Sequence, residues 1–258
     1  MEKTLLEEQH GRVMVLTINR PDKLNALNQQ VRDEMMEAVE RLEADDSVGV
    51  VVITGAGEKS FVAGADIGEF EGRSPFDQRH AMRSPRIFDV MQSFSKPVIA
   101  MVNGFCLGGG CELAMSCDLR VASDKARFGQ PEINLGLIPG GGGTQRMPRL
   151  VGLGQTMRMM LTGDMIPAAE AHSIGLVEMV FPADELREKT LELAAKIASK
   201  SPLTLRIAKE AVHAAAQFPL NDGIRYERDL FCLAFSTEDK AEGVDAFLNK
   251  RPAAWQGR

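Results

Sequence analysis

The first part of the chain alternates between apolar strand patterns and helical spacing. Segments 4–8 and 13–18 flank His10-Gly11-Arg12, an arrangement that predicts a β-hairpin. Beyond it, Asn28 can cap a helix that extends through Asp45, because apolar residues recur there at helical spacing. The chain is therefore predicted to begin with two strands and one amphipathic helix.

Three continuous apolar runs predict strands that are buried on both faces. They span 48–54, 98–102 and 119–122, and the first is interrupted only by Gly49. Helical segments separate the runs, which is the order expected for right-handed strand–helix–strand units. The fold class predicted for this half is α/β.

The pattern changes near Gly152, after which the sequence predicts consecutive helices. Prolines stand where these helices begin or break, and 176–180 predicts one short strand among them. The predicted helices cover 154–162, 168–174, 184–199 and 202–216, with two more before Leu248. We expect a single domain over 1–258, with a core over 1–195 and a C-terminal helical region over 196–258.

The composition is typical of a soluble globular protein. The 258 residues are 44% apolar and 26% charged. The 30 Lys and Arg against 36 Asp and Glu give a formal charge of −6, which argues against a broad nucleic-acid-binding surface. The 4 cysteines form no Cys-x-x-Cys pair and the N-terminus has no leader pattern, so we expect a cytoplasmic location. The longest apolar stretch, 98–115, contains Asn103, Glu112 and four glycines, so no membrane span is predicted.

Common nucleotide, metal and hydrolase motifs are missing from the sequence. Segment 53–60 follows a strand but lacks the third glycine of a dinucleotide loop and the Gly-Lys-Ser/Thr of a P-loop. The 4 histidines are scattered, so no zinc site is predicted. There is also no Gly-x-Ser-x-Gly elbow for a hydrolase nucleophile.

Three glycine-rich segments are candidates for the active site: 61–67, 103–115, and 128–133 with 136–146. Glycines at the start of a helix expose N–H donors at the positive end of its dipole, which suits an oxyanion that forms during a reaction. A tight turn alone explains either of the first two segments equally well. Residues 140–143 either shape a binding pocket or form a turn before a helix at Thr144.

The second and third of these segments each carry one carboxylate in a weakly charged neighbourhood. Glu112 lies on a helix that should be buried, where an unsatisfied glutamate costs several kcal/mol. Such a residue indicates a catalytic role or a buried ion pair. Glu132 is a weaker candidate, because a Pro-Glu pair often merely begins a helix.

In this order and spacing, the segments resemble the crotonase (enoyl-CoA hydratase/isomerase) superfamily, over nearly the whole chain. The resemblance rests on Leu16-Thr-Ile-Asn-Arg-Pro21, Asn25-Ala-Leu-Asn28, Ala63-Gly-Ala-Asp66, Gly108-Gly-Gly-Cys-Glu-Leu-Ala114, Gly129-Gln-Pro-Glu132 and the stretch from Pro139 to Arg146. Any one of these would be weak evidence, but each falls where the others predict it.

The resemblance implies a spiral of ββα turns closed by C-terminal helices. It also implies an acyl-CoA enolate held by the backbone N–H groups of Ala65 and Gly109. Hydratases of the superfamily carry both glutamates; by that analogy, Glu112 activates the attacking water and Glu132 supplies the proton to the α-carbon. The implied reaction is syn addition of water to a trans-2-enoyl-CoA in fatty-acid metabolism.

The resemblance further implies a site for coenzyme A, which is part of the substrate, so no separate cofactor is expected. The residues that match this site are Lys23, Asn25, Ala26, Ala63, Asp66 and Ile67. The C-terminal helices imply a homotrimer or a dimer of trimers.

Two other functions stay open at this point. Another reaction of the superfamily, such as isomerisation of a 3-enoyl-CoA or a dehydration in a catabolic pathway, would use the same motifs. A non-catalytic or RNA-binding relative would need a basic surface helix and the loss of a glutamate. The best segment for such a helix, 203–217, holds only Arg206 and Lys209 as cations.

Overall fold

The computed structural model describes residues 3–83 and 86–258, which contain two β-sheets and ten α-helices. The strands are β1 (Leu5–His10), β2 (Val13–Ile18), β3 (Val50–Gly55), β4 (Ser60–Val62), β5 (Val98–Val102), β6 (Phe105–Leu107), β7 (Leu119–Ser123), β8 (Arg127–Gly129), β9 (Ile166–Pro167) and β10 (Met179–Phe181). The helices are α1 (Gln29–Glu43), α2 (Pro75–Ala81), α3 (Ile87–Ser93), α4 (Gly109–Ser116), α5 (Gly143–Thr162), α6 (Ala168–Ser173), α7 (Leu186–Ala198), α8 (Pro202–Ala214), α9 (Leu220–Phe235) and α10 (Glu238–Leu248).

From β3 to β8, the chain adds strands to the two sheets in alternation. The larger has the strand order β1-β2-β3-β5-β7-β10, and the smaller has the order β4-β6-β8-β9. β1 and β2 form the predicted antiparallel hairpin, and the other strands of the larger sheet pair in parallel. A strand of the larger sheet is followed by one of the smaller sheet and then by helix, as in β5-β6-α4. This repeat confirms the ββα spiral that the resemblance implied.

The central strands β3, β5 and β7 of the larger sheet are buried on both faces, which explains their largely apolar runs. Alternate residues of a strand point to opposite faces. In β3, Val51 and Ile53 therefore join a core shared with α1, α3 and α4, whereas Val50 and Val52 pack with residues of α7. Fully burying a side chain of this kind contributes roughly 1.5–3 kcal/mol.

The predicted elements are found with shifted ends. Asn28 caps α1, since its Oδ1 accepts a hydrogen bond from Val31 N at 3.0 Å. The helix predicted over 154–162 is the second part of α5, which breaks at Gly152, where φ is +77°. The predicted boundary at residues 195 and 196 falls inside α7, and the division into core and helical region stays a prediction.

The smaller sheet was missed by sequence analysis. Its first three strands have 3 residues each and β9 has 2, too short to show an alternating pattern. These strands are nevertheless what places the glycine-rich segments, because each of the first three overlaps one of them.

Candidate active site

The smaller sheet brings the three glycine-rich segments to one place. β4 leads into Ala63–Asp66, β6 leads into Gly108 at the N-cap of α4, and β8 leads into Gln130. Helix α4 packs directly on β4, since a Cβ on Gly110 would overlap the carbonyl oxygen of Val62. Only a residue without a side chain allows this approach.

Ala65 and Gly109 lie next to each other in the structure. A Cβ on Gly109 would be 3.4 Å from Ala65 N. The loop before Ala65 is fixed by its neighbours, because Leu27 N donates to Gly64 O at 2.9 Å and Asp66 N donates to Leu27 O at 3.0 Å. Within the described ranges 3–83 and 86–258, neither N–H donates to a protein acceptor. Two adjacent free donors, one of them in the first turn of a helix, can stabilise an oxyanion.

Glu112 is buried on α4, with 3% of its surface exposed. Its Oε1 accepts hydrogen bonds from Gly141 N at 2.6 Å and from Gly143 N at 2.8 Å. Burial raises the pKa of Glu112, while these two bonds and the more distant charges of Arg86 and Arg146 act in the opposite direction. Two backbone amides, rather than the buried ion pair considered from the sequence, therefore satisfy this carboxylate.

Glu132 lies half-buried on a 3-10 turn, Pro131–Leu135. Burial raises its pKa to about 7; a backbone hydrogen bond opposes this shift, and the charge of Glu112 adds to it. A Cβ on Gly108 would be 3.0 Å from Glu132 Oε1, so the carboxylate stands next to the turn that carries the Gly109 donor. The two predicted catalytic glutamates are thus brought to the same site, close enough to influence one another's ionisation.

Gln130 joins the two glutamates, although the sequence marked it only as part of a motif. It is fully buried, and its amide nitrogen, oriented by its neighbours, donates to Glu132 Oε1 at 3.0 Å and to Oε2 at 3.1 Å. In this orientation the amide oxygen of Gln130 would lie 2.8 Å from a Cβ on Gly143, and Glu112 Oε1 would lie 3.1 Å from the same Cβ. The Gln130 amide therefore stands between the two carboxylates.

The loop over residues 140–143 was also missed as a functional element. Sequence analysis weighed it as a pocket wall or a turn, whereas the structure uses its N–H groups to hold Glu112. The run of four glycines was the available signal, since a loop that presents several N–H groups to one carboxylate leaves little room for side chains.

The six residues predicted to contact coenzyme A lie on two loops that are bonded to each other. Ala63 N donates to Leu24 O at 3.1 Å, and Arg20 pairs with Asp66 at 2.9 Å. The Arg20 guanidinium holds the pKa of the Asp66 carboxyl below its usual value. Arg20 Nη1 also donates to Ala26 O at 2.6 Å, while Lys23 and Ile67 are exposed. These contacts place all six predicted residues in one neighbourhood.

Asn25 has a structural role in this neighbourhood. Its side chain is fully buried, accepts a bond from Arg20 N at 3.0 Å, and donates to Ala56 O at 3.0 Å and to Ser60 O at 2.8 Å. The side-chain amide is thus engaged with the protein. A contact between Asn25 and the coenzyme, which stays a prediction, would have to use its backbone.

The described part of the chain has neither a cluster of metal-binding side chains nor a membrane-spanning helix. Among residues 3–83 and 86–258, no group of three or more His, Cys, Asp or Glu is placed to hold a metal ion. No helix in those ranges is both long and apolar enough to cross a membrane.

Known proteins are similar to this chain in sequence and in fold. The profile of the enoyl-CoA hydratase/isomerase family matches residues 8–258. The short-chain-enoyl-CoA hydratase of Clostridium acetobutylicum is 46% identical over 245 residues, which are 95% of this chain and 94% of that protein. The crotonyl-CoA hydratase of Syntrophomonas wolfei is 45% identical over 252 residues, 97% of each chain. The crystal structure of the enoyl-CoA hydratase from Bacillus anthracis superposes with a TM-score of 0.95 at 38% identity, covering 99% of this chain and 100% of that one. The resemblance drawn from the motifs is confirmed, and the chain belongs to the enoyl-CoA hydratase/isomerase family.

Proposed function

We propose that Glu112 and Glu132 are the acid–base pair of this enzyme and that the N–H groups of Ala65 and Gly109 hold the thioester oxygen. The enzyme is an enoyl-CoA hydratase, which adds water to a trans-2-enoyl-CoA to give a 3-hydroxyacyl-CoA. The observation that carries the assignment is that both carboxylates and both free donors meet at the N-terminal end of α4.

The geometry suggests how the two glutamates divide the work. Oε1 of Glu112 is occupied by two N–H donors, which leaves Oε2 to accept a proton from water as its oxygen bonds to the β-carbon. Electron density moves onto the thioester oxygen, where the two backbone N–H groups stabilise the enolate. Glu132, with a pKa of about 7, can carry a proton near neutral pH and deliver it to the α-carbon. Transfer of the proton from Glu112 to Glu132 through water then restores the starting state.

Proton exchange at the α-carbon tests this division. Butyryl-CoA has no double bond to hydrate, so in D2O it reports only on removal and return of the α-proton. We expect Glu132→Gln to lose the exchange and Glu112→Gln to retain most of it, with wild type as the reference. Loss in Glu112→Gln alone would reverse the assignment. Equal loss in both variants would contradict any division of roles.

The substrates proposed are short- to medium-chain thioesters, and no cofactor beyond the coenzyme A of the substrate is needed. The names of the relatives that act on short chains support this range. A profile of kcat/KM over trans-2-enoyl-CoA chain lengths tests it, and 3-enoyl-CoA substrates in the same series reveal any isomerase activity.

The C-terminal helices support self-association, which we propose gives a trimer or a dimer of trimers. α9 and α10 expose large apolar side chains, including Leu220 at 78% and Phe247 at 83%. Monomeric proteins rarely leave extended apolar patches in water. Light scattering coupled to gel filtration gives the mass that decides the oligomeric state. A cytoplasmic location is also proposed, supported by the four free thiols.

No nucleic-acid partner is proposed. Lys209, one of the two cations on the helix weighed for RNA, points inward and pairs with Asp118 at 2.8 Å. Its side chain is 10% exposed, so it adds little to a basic surface.

A further inference from the structure

The loop that holds Glu112 is itself held by two arginines. In a planar trans peptide, the N–H points away from the carbonyl of the same peptide unit, so fixing one fixes the other. The carbonyl partner of the Gly141 N–H is Gly140 O, which accepts a bond from Arg86 Nη1. The carbonyl partner of the Gly143 N–H is Gly142 O, which accepts a bond from Arg146 N at 2.8 Å.

The guanidinium of Arg146 holds the peptide unit between Gly141 and Gly142. Its Nη1 donates to Gly141 O at 2.6 Å, so three consecutive carbonyls of the loop accept hydrogen bonds from the two arginines. A Cβ on Gly142 would overlap Arg146 Nη1, and Gly142 has a φ of +101°. The sequence therefore needs glycine at Gly142 for the guanidinium to reach the loop.

Helix α3 fixes the guanidinium in turn. Arg146 Nε and Nη2 donate to Gln92 Oε1 at 2.9 and 2.7 Å, and Nη2 reaches Phe88 O at 3.3 Å. The side chain of Arg146 is 14% exposed. A rigid fork with donors on two sides can hold the loop and the helix at once, which a lysine cannot do.

The charge of Arg146 is only lightly neutralised. Among the residues that the structure describes, its acidic contact is Asp89, which lies 3.4 Å away with 66% of its side chain exposed. The charged groups that act on Glu112 are Arg86 before α3, Arg146 on α5 and Glu132 on the 3-10 turn, and both arginines lower its pKa.

We propose that Arg146, assisted by Arg86, is a positioning residue for hydration: it clamps the 140–143 loop so that two N–H groups stay aimed at Glu112. The inference rests on the proposed roles of the glutamates. It assigns no contact between Arg146 and substrate. Its effect on the reaction passes through Glu112.

The test compares Arg146→Met with Arg149→Met, a matched loss of a guanidinium one turn further along α5. Arg149 is exposed and donates to Gln145 O of its own helix at 2.7 Å. We expect Arg146→Met to lower kcat by about 10- to 100-fold with little change in KM, because misplacing a catalytic group costs rate more than binding. Arg149→Met should match wild type.

Two further readouts separate positioning from a merely structural role. Losing the charge and loosening the N–H donors both raise the pKa of Glu112, so the acid limb of the pH–kcat profile should move to higher pH in Arg146→Met. In Arg146→Ala, added methylguanidine should restore part of kcat, whereas it should leave Arg149→Ala unchanged. Where Arg146→Met does not fold, Gln92→Leu, which frees one side of the fork, should show the same shift at smaller size.

The outcomes distinguish a failure of the Arg146 role from a failure of the proposed function. Suppose that wild type and Arg149→Met hydrate crotonyl-CoA, and that Arg146→Met shows an unshifted acid limb and a kcat within twofold of wild type. This result overturns the role of Arg146 and leaves the proposed function standing. A fall in Tm without a fall in kcat does the same. An inactive wild type would overturn the proposed function and this inference with it.

Discussion

Glu112 and Glu132 are the same side chain placed in two different surroundings. Glu112 is almost wholly buried, yet two backbone N–H groups of a clamped loop bind one of its oxygens. Glu132 is less deeply buried and receives its side-chain contact from the neutral amide of Gln130. Its pKa is raised to about 7 by burial, with repulsion from Glu112 adding to the effect.

Burial raises the pKa of both carboxyls, and the comparison teaches that their charged and hydrogen-bonding neighbours then act in opposite directions. Two backbone N–H groups and two arginines act to lower the pKa of Glu112, whereas the charge of Glu112 raises that of Glu132 further. Different surroundings can therefore bias two side chains of identical chemistry toward the base and the acid that addition of water across a double bond requires.

The largest effect is expected from removing either ionisable group. Glu112→Gln and Glu132→Gln should each lower kcat for crotonyl-CoA hydration by ~100-fold or more. Both replacements keep the volume and a polar contact, so the fold should survive. Following the absorbance of the conjugated thioester measures the rate. A variant that retains a tenth or more of wild-type kcat would remove that glutamate from the acid–base pair.

A smaller effect is expected when a methyl group is added beside each carboxylate. Gly143→Ala places a Cβ 3.1 Å from Glu112 Oε1, and Gly108→Ala places one 3.0 Å from Glu132 Oε1. We expect each to lower kcat by about 10- to 100-fold through misplacement of the carboxylate.

Gly136→Ala is the control for Gly108→Ala. Gly136 has a φ of +68° and nothing within 4 Å of its Cβ, whereas Gly108 has a φ of +49° and the Glu132 contact. Alanine is strained at both positions, and more so at Gly108, where ψ is −122° instead of the left-handed 24° of Gly136. Gly136→Ala therefore controls for alanine at positive φ, and the contact with Glu132 is judged from kcat rather than from Tm. Equal kcat in the two variants would mean that this contact does not matter.

The smallest effect concerns stability. Because the pKa of Glu132 is raised in the folded state, the native protein binds this proton more tightly than the unfolded chain. Its contribution to the free energy of unfolding is present below the ordinary pKa of glutamate and is lost as the pH rises through about 7. Glu132→Gln should therefore gain about 2–4 °C in Tm relative to wild type between pH 5 and pH 8, measured by calorimetry. A difference in Tm that does not change with pH would show that Glu132 has an ordinary pKa.

The sequence was most informative where a physical pattern is long or a residue is out of place. The runs that became β3, β5 and β7 were visible because strands buried on both faces leave a largely apolar signal, which only Arg120 interrupts in β7. Glu112 was visible because a carboxylate on an apolar helix needs an explanation. The superfamily motifs added the partner, Glu132, and the two N–H donors.

What the sequence could not show depends on contacts between distant segments. The partners of Glu112 lie 29 and 31 residues away along the chain, and nothing in the glycine run itself says which side chain its amides will bind. Gln92 and Arg146 are likewise 54 residues apart and look like ordinary polar residues of two helices. The strands of the smaller sheet are visible only through their pairing.

The absent side chain of Gly110 has a consequence for how the enzyme recognises its substrate. Since α4 lies against β4 without an intervening atom, this contact and the hydrogen bonds to Leu27 hold the Ala65 and Gly109 amides at a set spacing. A thioester oxygen bound between them as proposed would meet a receptor of fixed width. Variation in the acyl chain therefore has to be accommodated elsewhere in the molecule, because the contact between α4 and β4 leaves no space to adjust.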